Sequence, residues 1–586
     1  MAEEKRTKCV PLSWLAAIPI VLAAVLAGYP SLHSSKSSNA FPSVTIRQGT
    51  IVGRMIDDGF PEPLEGFMGI PFAIPPVGER RFLPAEPVAS SNDTHRAFYL
   101  GPRCPGVQLV PFLEDPILGP DYESEDCLTI NIWRRPGKSQ DKLPVAVLIP
   151  GGAFNRGAAR MHNTHSMLAF SEEPFIAVSM QYRIGVFGGL NTELTDKENV
   201  LNLGLKDMYA ALEWVQENIE AFGGDPNDVT IMGLSAAAHG IGHLIMDINQ
   251  PKRLFNKAIL DSGAHTARAV HPPSAGLNTQ HFRELLDLTP CAHFKNLLDP
   301  KILSCLRGLP SETVDKAGKA VFARSEPSNR WAWQPVMDKN VISRRPLDAW
   351  KSGEFNRVPI LTGSAHNEGA YYAPKSADKS KDFGHFFRTL LPHLSDAEFA
   401  QLEALYPDPA TDPTSPYVES RGIEGVGSQY RRLEAAYGHY AYTCPVRQTA
   451  IWATSPSDQE PVFLYHWALN KTALFGANHG DQMRYQTYNK EVCEISQAQD
   501  EVAGNFHAYC TSFITKGDPN VIKGKFANRP EWKGWKGGKG LTMVMGDGND
   551  ERAGGTGVGI ASQLVDYTWG EDQCEFWWRV SSKWED

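Results

Sequence analysis

The sequence predicts an α/β fold: a large, mostly parallel central sheet covered by helices on both faces. Three observations carry this. Short β-branched runs alternate with longer helical patterns, and several of those runs are apolar at every position. A strand buried on both faces must be apolar throughout, and strands interleaved with helices pair in parallel. The third is a tight Gly-x-Ser turn between one such strand and a stretch of small residues.

The elements follow in order. Lys5, Arg6 and Lys8 precede an uncharged run from Trp14 to Gly28, with small residues around Val25-Leu26-Ala27. Residues 1–28 therefore read as a signal peptide, or as a signal anchor if uncleaved; the run is short for a span of ~20 residues, and Pro19 interrupts it. Residues 29–43 form a Ser-rich lead-in, and 44–586 a single folded domain. Val145–Ile149 and Phe175–Ser179 are strands, Leu205–Phe222 an amphipathic helix and Val229–Met232 another strand. Stretches 373–384 and 406–416 read as loops or cap insertions. Gly555–Gly559 lacks the preceding strand and the lysine of a phosphate loop, so it reads as a surface loop.

Length alone would allow about four domains, but nothing in the sequence resembles an inter-domain linker. Hydrophobic residues make up 42% and charged residues 21%, with a net charge of -10. That is a globular mix, and with no basic stripe it excludes nucleic acid as a partner. Eight cysteines follow the apolar run, an even number that suggests disulfides in an exported chain. Sequons at Asn92 and Asn470 would mark surface positions if glycosylated.

The chemistry concentrates in Gly233-Leu234-Ser235-Ala236-Ala237, between strand 229–232 and the small-residue stretch 238–242. An acyl-transfer serine must project from the backbone, with a base on one side and amide donors on the other. A strand-to-helix turn does this, and small neighbours let helix and strand approach. Here the usual closing glycine is Ala237. A second element, Pro150-Gly151-Gly152-Ala153-Phe154, ends strand 145–149. Its glycines let amides turn inward, which makes the N–H groups of Gly152, Ala153 and Ala236 candidates for an oxyanion hole.

Beyond these motifs the chain resembles the type-B carboxylesterase and lipase family, the cholinesterase-like α/β-hydrolases that include fungal lipases. The likeness runs from about residue 44 to 580. It rests on Phe67-Met68-Gly69-Ile70-Pro71-Phe72-Ala73, Ser124-Glu125-Asp126-Cys127-Leu128, Asn202-Leu203-Gly204-Leu205, Phe222-Gly223-Gly224-Asp225-Pro226 and Lys516-Gly517-Asp518-Pro519-Asn520. The resemblance implies an α/β-hydrolase fold with cap insertions and a gorge-like active site. It also implies the remaining partners of Ser235: Glu368, in Asn367-Glu368-Gly369, as the acid and His479, in Asn478-His479-Gly480, as the base. It implies disulfides Cys104–Cys127, Cys291–Cys305 and Cys444–Cys574. Cys493 and Cys510 have no counterpart, and either form a fourth bridge or stay free.

Departures from the family bear on substrate. Leu234 stands where many members carry Glu before the nucleophile, and the loop 104–127 lacks the tryptophan on which cholinesterases stack a quaternary ammonium. Val107, Leu109, Val110, Phe112, Ile117 and Leu118 make that loop apolar, which favours hydrophobic groups, although ordinary loop packing would look the same. His239 and His243, four apart, show no third metal ligand and read as two unrelated histidines. The expectation is a secretory-pathway serine hydrolase of apolar carboxylic esters that needs no cofactor or metal. It would be secreted, touching a membrane only through an uncleaved N-terminal anchor. Two rivals stand beside it: acyl transfer or cyclisation by the same triad, and a non-catalytic adhesion protein.

Overall fold

A computed structural model describes residues 41–583 apart from 110–114, 138–140, 326–329, 455–459 and 567. The expected leader, and Val110 and Phe112 of the apolar loop, lie outside the described residues. Eleven strands form the main sheet: β1 Arg54–Ile56, β2 Leu64–Pro71, β3 Thr129–Arg134, β4 Leu143–Ile149, β5 Ile176–Met180, β6 Gly224–Leu234, β7 Lys257–Asp261, β8 Ile360–Ala365, β9 Val462–Trp467, β10 Thr542–Asn549 and β11 Val558–Val565. Their spatial order is β11-β10-β9-β8-β7-β6-β4-β5-β3-β2-β1. From β5 through β10 every neighbouring pair is parallel, and antiparallel strands close both edges. A separate small sheet holds Ser43–Ile46, Gly49–Val52 and Thr94–Arg96.

The central strands are apolar throughout because both faces are covered. Val145 to Ile149 are buried at every position, as are all of β5, β7, β8 and β9. On one face Leu205, Met208, Leu212 and Val215 of the helix Leu203–Asn218 join the core with Ile241 and Leu244 of the helix Ala236–Met246. On the other, Val502, Phe506, Tyr509 and Phe513 of the helix Gln497–Lys516 pack against Tyr465 and Trp467. At roughly 1.5–3 kcal/mol for each large side chain buried, these two layers supply the main drive to fold.

Two expectations are corrected. Residues 380–384 are not loop: they open the helix Ser380–Leu390, whose Phe383, Phe386, Phe387 and Leu390 bury one face. Val558 and Gly559 belong to the edge strand β11 rather than to a surface loop. The structure bonds Cys104 to Cys127, Cys291 to Cys305 and Cys444 to Cys574, with Cα separations of 5.1, 6.1 and 5.0 Å. Cys493 and Cys510 are both free thiols. Among the described residues no helix is long and apolar enough to cross a membrane.

Candidate active site

Strand β6 runs out at Leu234, and Ser235 turns the chain into the helix Ala236–Met246 with φ 60° and ψ −122°. Such a conformation costs a non-glycine residue on the order of 1–3 kcal/mol and persists only where its surroundings impose it. Here the Ser235 amide donates to Asp261 O at 2.8 Å, and Ser235 O accepts the His239 amide at 2.9 Å. The turn thus hangs between the end of β7 and the first turn of the helix. Ser235 is buried, and a Cβ on Gly233 would lie 2.5 Å from the Ala237 methyl.

The Gly151–Phe154 loop leaves β4 directly beside this turn. A Cβ on Gly151 would meet Leu234 O at 2.1 Å, so only glycine permits the approach. Gly152 and Ala153 both have positive φ, 128° and 56°. Their carbonyls are fixed: Gly152 O accepts the amides of Asn155 and Arg156, and Ala153 O accepts Asn155 Nδ2 and Gln334 Nε2, both at 2.9 Å. Fixing the carbonyls fixes the orientation of the neighbouring peptide planes. The amides of Gly152 and Ala153 meet no acceptor among the described residues, and that of Ala236 opens a helix, where N–H groups are unpaired by construction. The three candidate donors are therefore oriented and unspent.

Glu368 and His479 come from the loops after β8 and β9. Asn367 joins these loops: its amide donates to Ala477 O at 2.8 Å, and its Oδ1 accepts the Ala477 amide at 3.0 Å. Glu368 is fully buried; its Oε1 accepts the Ala365 amide at 2.7 Å, and its Oε2 accepts from His479 Nδ1 at 2.5 Å. A carboxylate held this way selects the tautomer that leaves Nε2 free to act as a base. No hydrogen bond joins Ser235 to His479, but their loops touch: a Cβ on Gly480 would lie 3.0 Å from Leu234 Cδ2. Such contacts commonly tighten only when substrate is bound.

Several site residues gave no signal in the sequence, because only tertiary packing assembles them. Tyr442 and Tyr372 wall the imidazole, with ring centroids 4.5 and 5.8 Å from that of His479. Beneath Ser235, the Asp261 carboxyl accepts from Tyr465 OH at 2.6 Å and Gln486 Nε2 at 3.1 Å. Burial pushes it up to about 6, against the pull of those hydrogen bonds. Val107 ties the Cys104–Cys127 loop to the segment that follows Gly151–Phe154 through its amide, which donates to Asn155 O at 2.8 Å. Of the expected apolar residues there, Leu118 is buried, Val107 and Ile117 half-buried and Leu109 exposed. His239 and His243 are buried, and among the described residues no three His, Cys, Asp or Glu side chains are arranged to hold a metal ion. Asn92 is exposed and Asn470 half-buried.

The sequence model of the carboxylesterase family matches residues 40–554. Secreted lipase 4 of Gibberella zeae is 31% identical over 493 residues, covering 83% of this chain and 85% of the relative. Lipase 1 of Geotrichum candidum is 28% identical over 78% of this chain and 84% of its own length. The crystal structure of Aspergillus niger EstA superposes with a TM-score of 0.76 at 24% identity, over 94% of this chain and all of that one, which shows a shared fold. This chain belongs to the carboxylesterase family and is a carboxylic ester hydrolase.

Proposed function

We propose that hydrolysis runs through an acyl-enzyme on Ser235, with His479 as general base and then acid and Glu368 as the orienting carboxylate. The observation that carries this is the pairing of His479 with the buried Glu368 carboxylate, in a loop that touches the turn of a serine held at φ 60°. Ser235 Oγ attacks the ester carbonyl as His479 Nε2 takes its proton. The developing oxyanion is met by the amides of Gly152, Ala153 and Ala236, and His479 returns the proton to the leaving alkoxide. Water, activated by the same imidazole, then releases the acid. Leu234 and the tyrosine walls favour an apolar group near the reacting carbon. Three disulfides support an oxidising, extracellular destination for the mature chain.

A fluorophosphonate probe tests the assignment: it should label Ser235. Ser235→Ala should lose several orders of magnitude in turnover of an aryl ester with its melting temperature little changed. Labelling of another residue, or retained activity, would discard Ser235 as nucleophile.

A further inference from the structure

Two hollows share part of their lining next to Phe154 and the helix that follows Ser235. The inner one touches Phe154, His239 and Gln334; the outer one opens past Trp331 to Leu390. They share Arg268, Ala269, Gln334 and Pro335. Arg268 is therefore the cationic group at the junction, and Arg330, His271 and His393 line the outer part. No aspartate or glutamate lines either hollow among the described residues. In a chain of net charge -10, this concentration of basic groups is local.

Half-buried Arg268 differs from the buried arginines that pair with carboxylates. Arg81 pairs with Glu125 and Arg183 with Asp207, each at 2.6 Å. Arg268 instead donates to two phenols, Tyr437 OH at 3.0 Å and Tyr442 OH at 2.8 Å, and lies 4.0 Å from the centroid of the Trp331 ring. Among the described residues no carboxylate reaches it. A guanidinium carries five N–H donors, so three remain for a guest. Nearby, burial first and then the charge of Arg330 hold His271 below the usual histidine range. Burial opposes the Arg268 charge, and the phenols of Tyr437, Tyr442 and Tyr372 favour it. The guanidinium thus stays charged, with no anionic partner among the described residues until a carboxylate binds. Arg268 reaches the reacting centre through one residue, because Tyr442, which it holds, packs against His479.

We propose that this hollow receives the free carboxylate of an anionic ester, with Arg268 as its anchor, so that the enzyme acts on mono-esters of dicarboxylic acids. This rests on the ester-hydrolase reading and names its substrate class. The apolar walls near Ser235 accept the methylene chain, and the guanidinium takes the distal carboxylate through charge-assisted hydrogen bonds.

The test compares monoethyl adipate with ethyl hexanoate, which share a six-carbon acyl chain and differ in the terminal carboxylate. The wild-type enzyme should favour monoethyl adipate at least tenfold in kcat/KM, and added salt should erode that preference. Arg268→Met should cut the ratio at least tenfold, mainly through KM for the anionic ester. The ratio is the readout because a merely structural effect, passed through Tyr442, would slow both esters alike. Arg330→Met, farther from the triad, should lower the ratio by less. A wild-type preference for ethyl hexanoate, or an unchanged ratio in Arg268→Met, would overturn the proposal and leave ester hydrolysis standing. Failure to cleave any ester would instead remove the hydrolase reading beneath it.

Discussion

A methyl group at Gly233 would fall 2.5 Å from the Ala237 methyl, so these two positions across the elbow have room for one Cβ between them. This explains why a pentapeptide that departs from Gly-x-Ser-x-Gly at its last position still makes the turn. The expected outcome is that Gly233→Ala overpacks the elbow and destabilises the protein by about 1–3 kcal/mol, with loss of turnover. Adding Ala237→Gly should restore part of both. Recovery stays incomplete because the new methyl also lies 3.1 Å from Ile149 O. Thermal melts and aryl-ester rates of the two singles and the double check this; additive losses would refute the shared space.

Glu368 offers a second test, because its two oxygens do different work: one accepts the Ala365 amide, the other the His479 ring. Glu368→Gln preserves size and one acceptor, but its NH2 cannot accept from Nδ1–H. The imidazole then turns or changes tautomer and loses its free Nε2. kcat should fall by about 10³–10⁴ with the melting temperature nearly unchanged. A loss under tenfold would mean another group orients His479.

Much of the fold was legible locally. Val145–Ile149 read as a strand because it is an unbroken apolar run, Val229–Met232 marked the inner part of the longer strand Gly224–Leu234, and the Ser235 turn showed as a Gly-x-Ser between strand and small-residue stretch. The start of the helix Ser380–Leu390 was missed because the lysines and serines of the stretch 373–384 suggested loop, although phenylalanines at 383, 386 and 387 with Leu390 carried the helical spacing. Glu368 and His479 were reached only through family likeness. They stand 111 residues apart, and nothing local marks either one. Arg268, Tyr442, Gln334 and Asp261 could not be found at all, since each acquires its place by packing between distant segments.

Buried histidines set the response to acid. Burial pushes His165 and His507 down to about 4 and His243 and His439 to about 3, against ~6.5 in an unfolded chain. Between pH 6.5 and 4 the unfolded state binds more protons, so stability is present above 6.5 and is lost as pH falls. Carboxyls raised by burial work the other way over part of that range, Asp261 to about 6 and with it Asp126, Asp247, Asp315, Glu434 and Asp481. The histidines lowered by burial outnumber them, since His162, His239, His265, His271, His281, His366 and His466 join the four above. The melting temperature should therefore drop steadily from pH 7 to 4.5, with a net uptake of protons on unfolding near pH 5. Calorimetry across that range checks it; a flat profile down to pH 5 would contradict it.

Cationic esters should be poor substrates. A quaternary ammonium entering the site must recover its lost hydration from a carboxylate or from aromatic faces. The residue before the proposed nucleophile is Leu234, which supplies no charge. Trp331 does stand near the site, 5.7 Å from Tyr372 between ring centroids, although it comes from outside the 104–127 loop. Arg268 already occupies its neighbourhood, 4.0 Å from its centroid, and lies 5.6 Å from the Tyr442 ring. The aromatic faces that could hold a cation thus carry one already, and a second would meet repulsion. 3,3-Dimethylbutyl acetate has the shape of acetylcholine without the charge, and its tert-butyl group still gains from burial. We expect its kcat/KM to exceed that of acetylcholine by tenfold or more, a difference of only about 1.4 kcal/mol in transition-state binding. Arg268→Met should narrow the gap by uncovering Trp331. If acetylcholine is turned over as well as its neutral isostere, an unrecognised anionic or aromatic group must serve the cation, and Arg268 cannot dominate the field in the hollow.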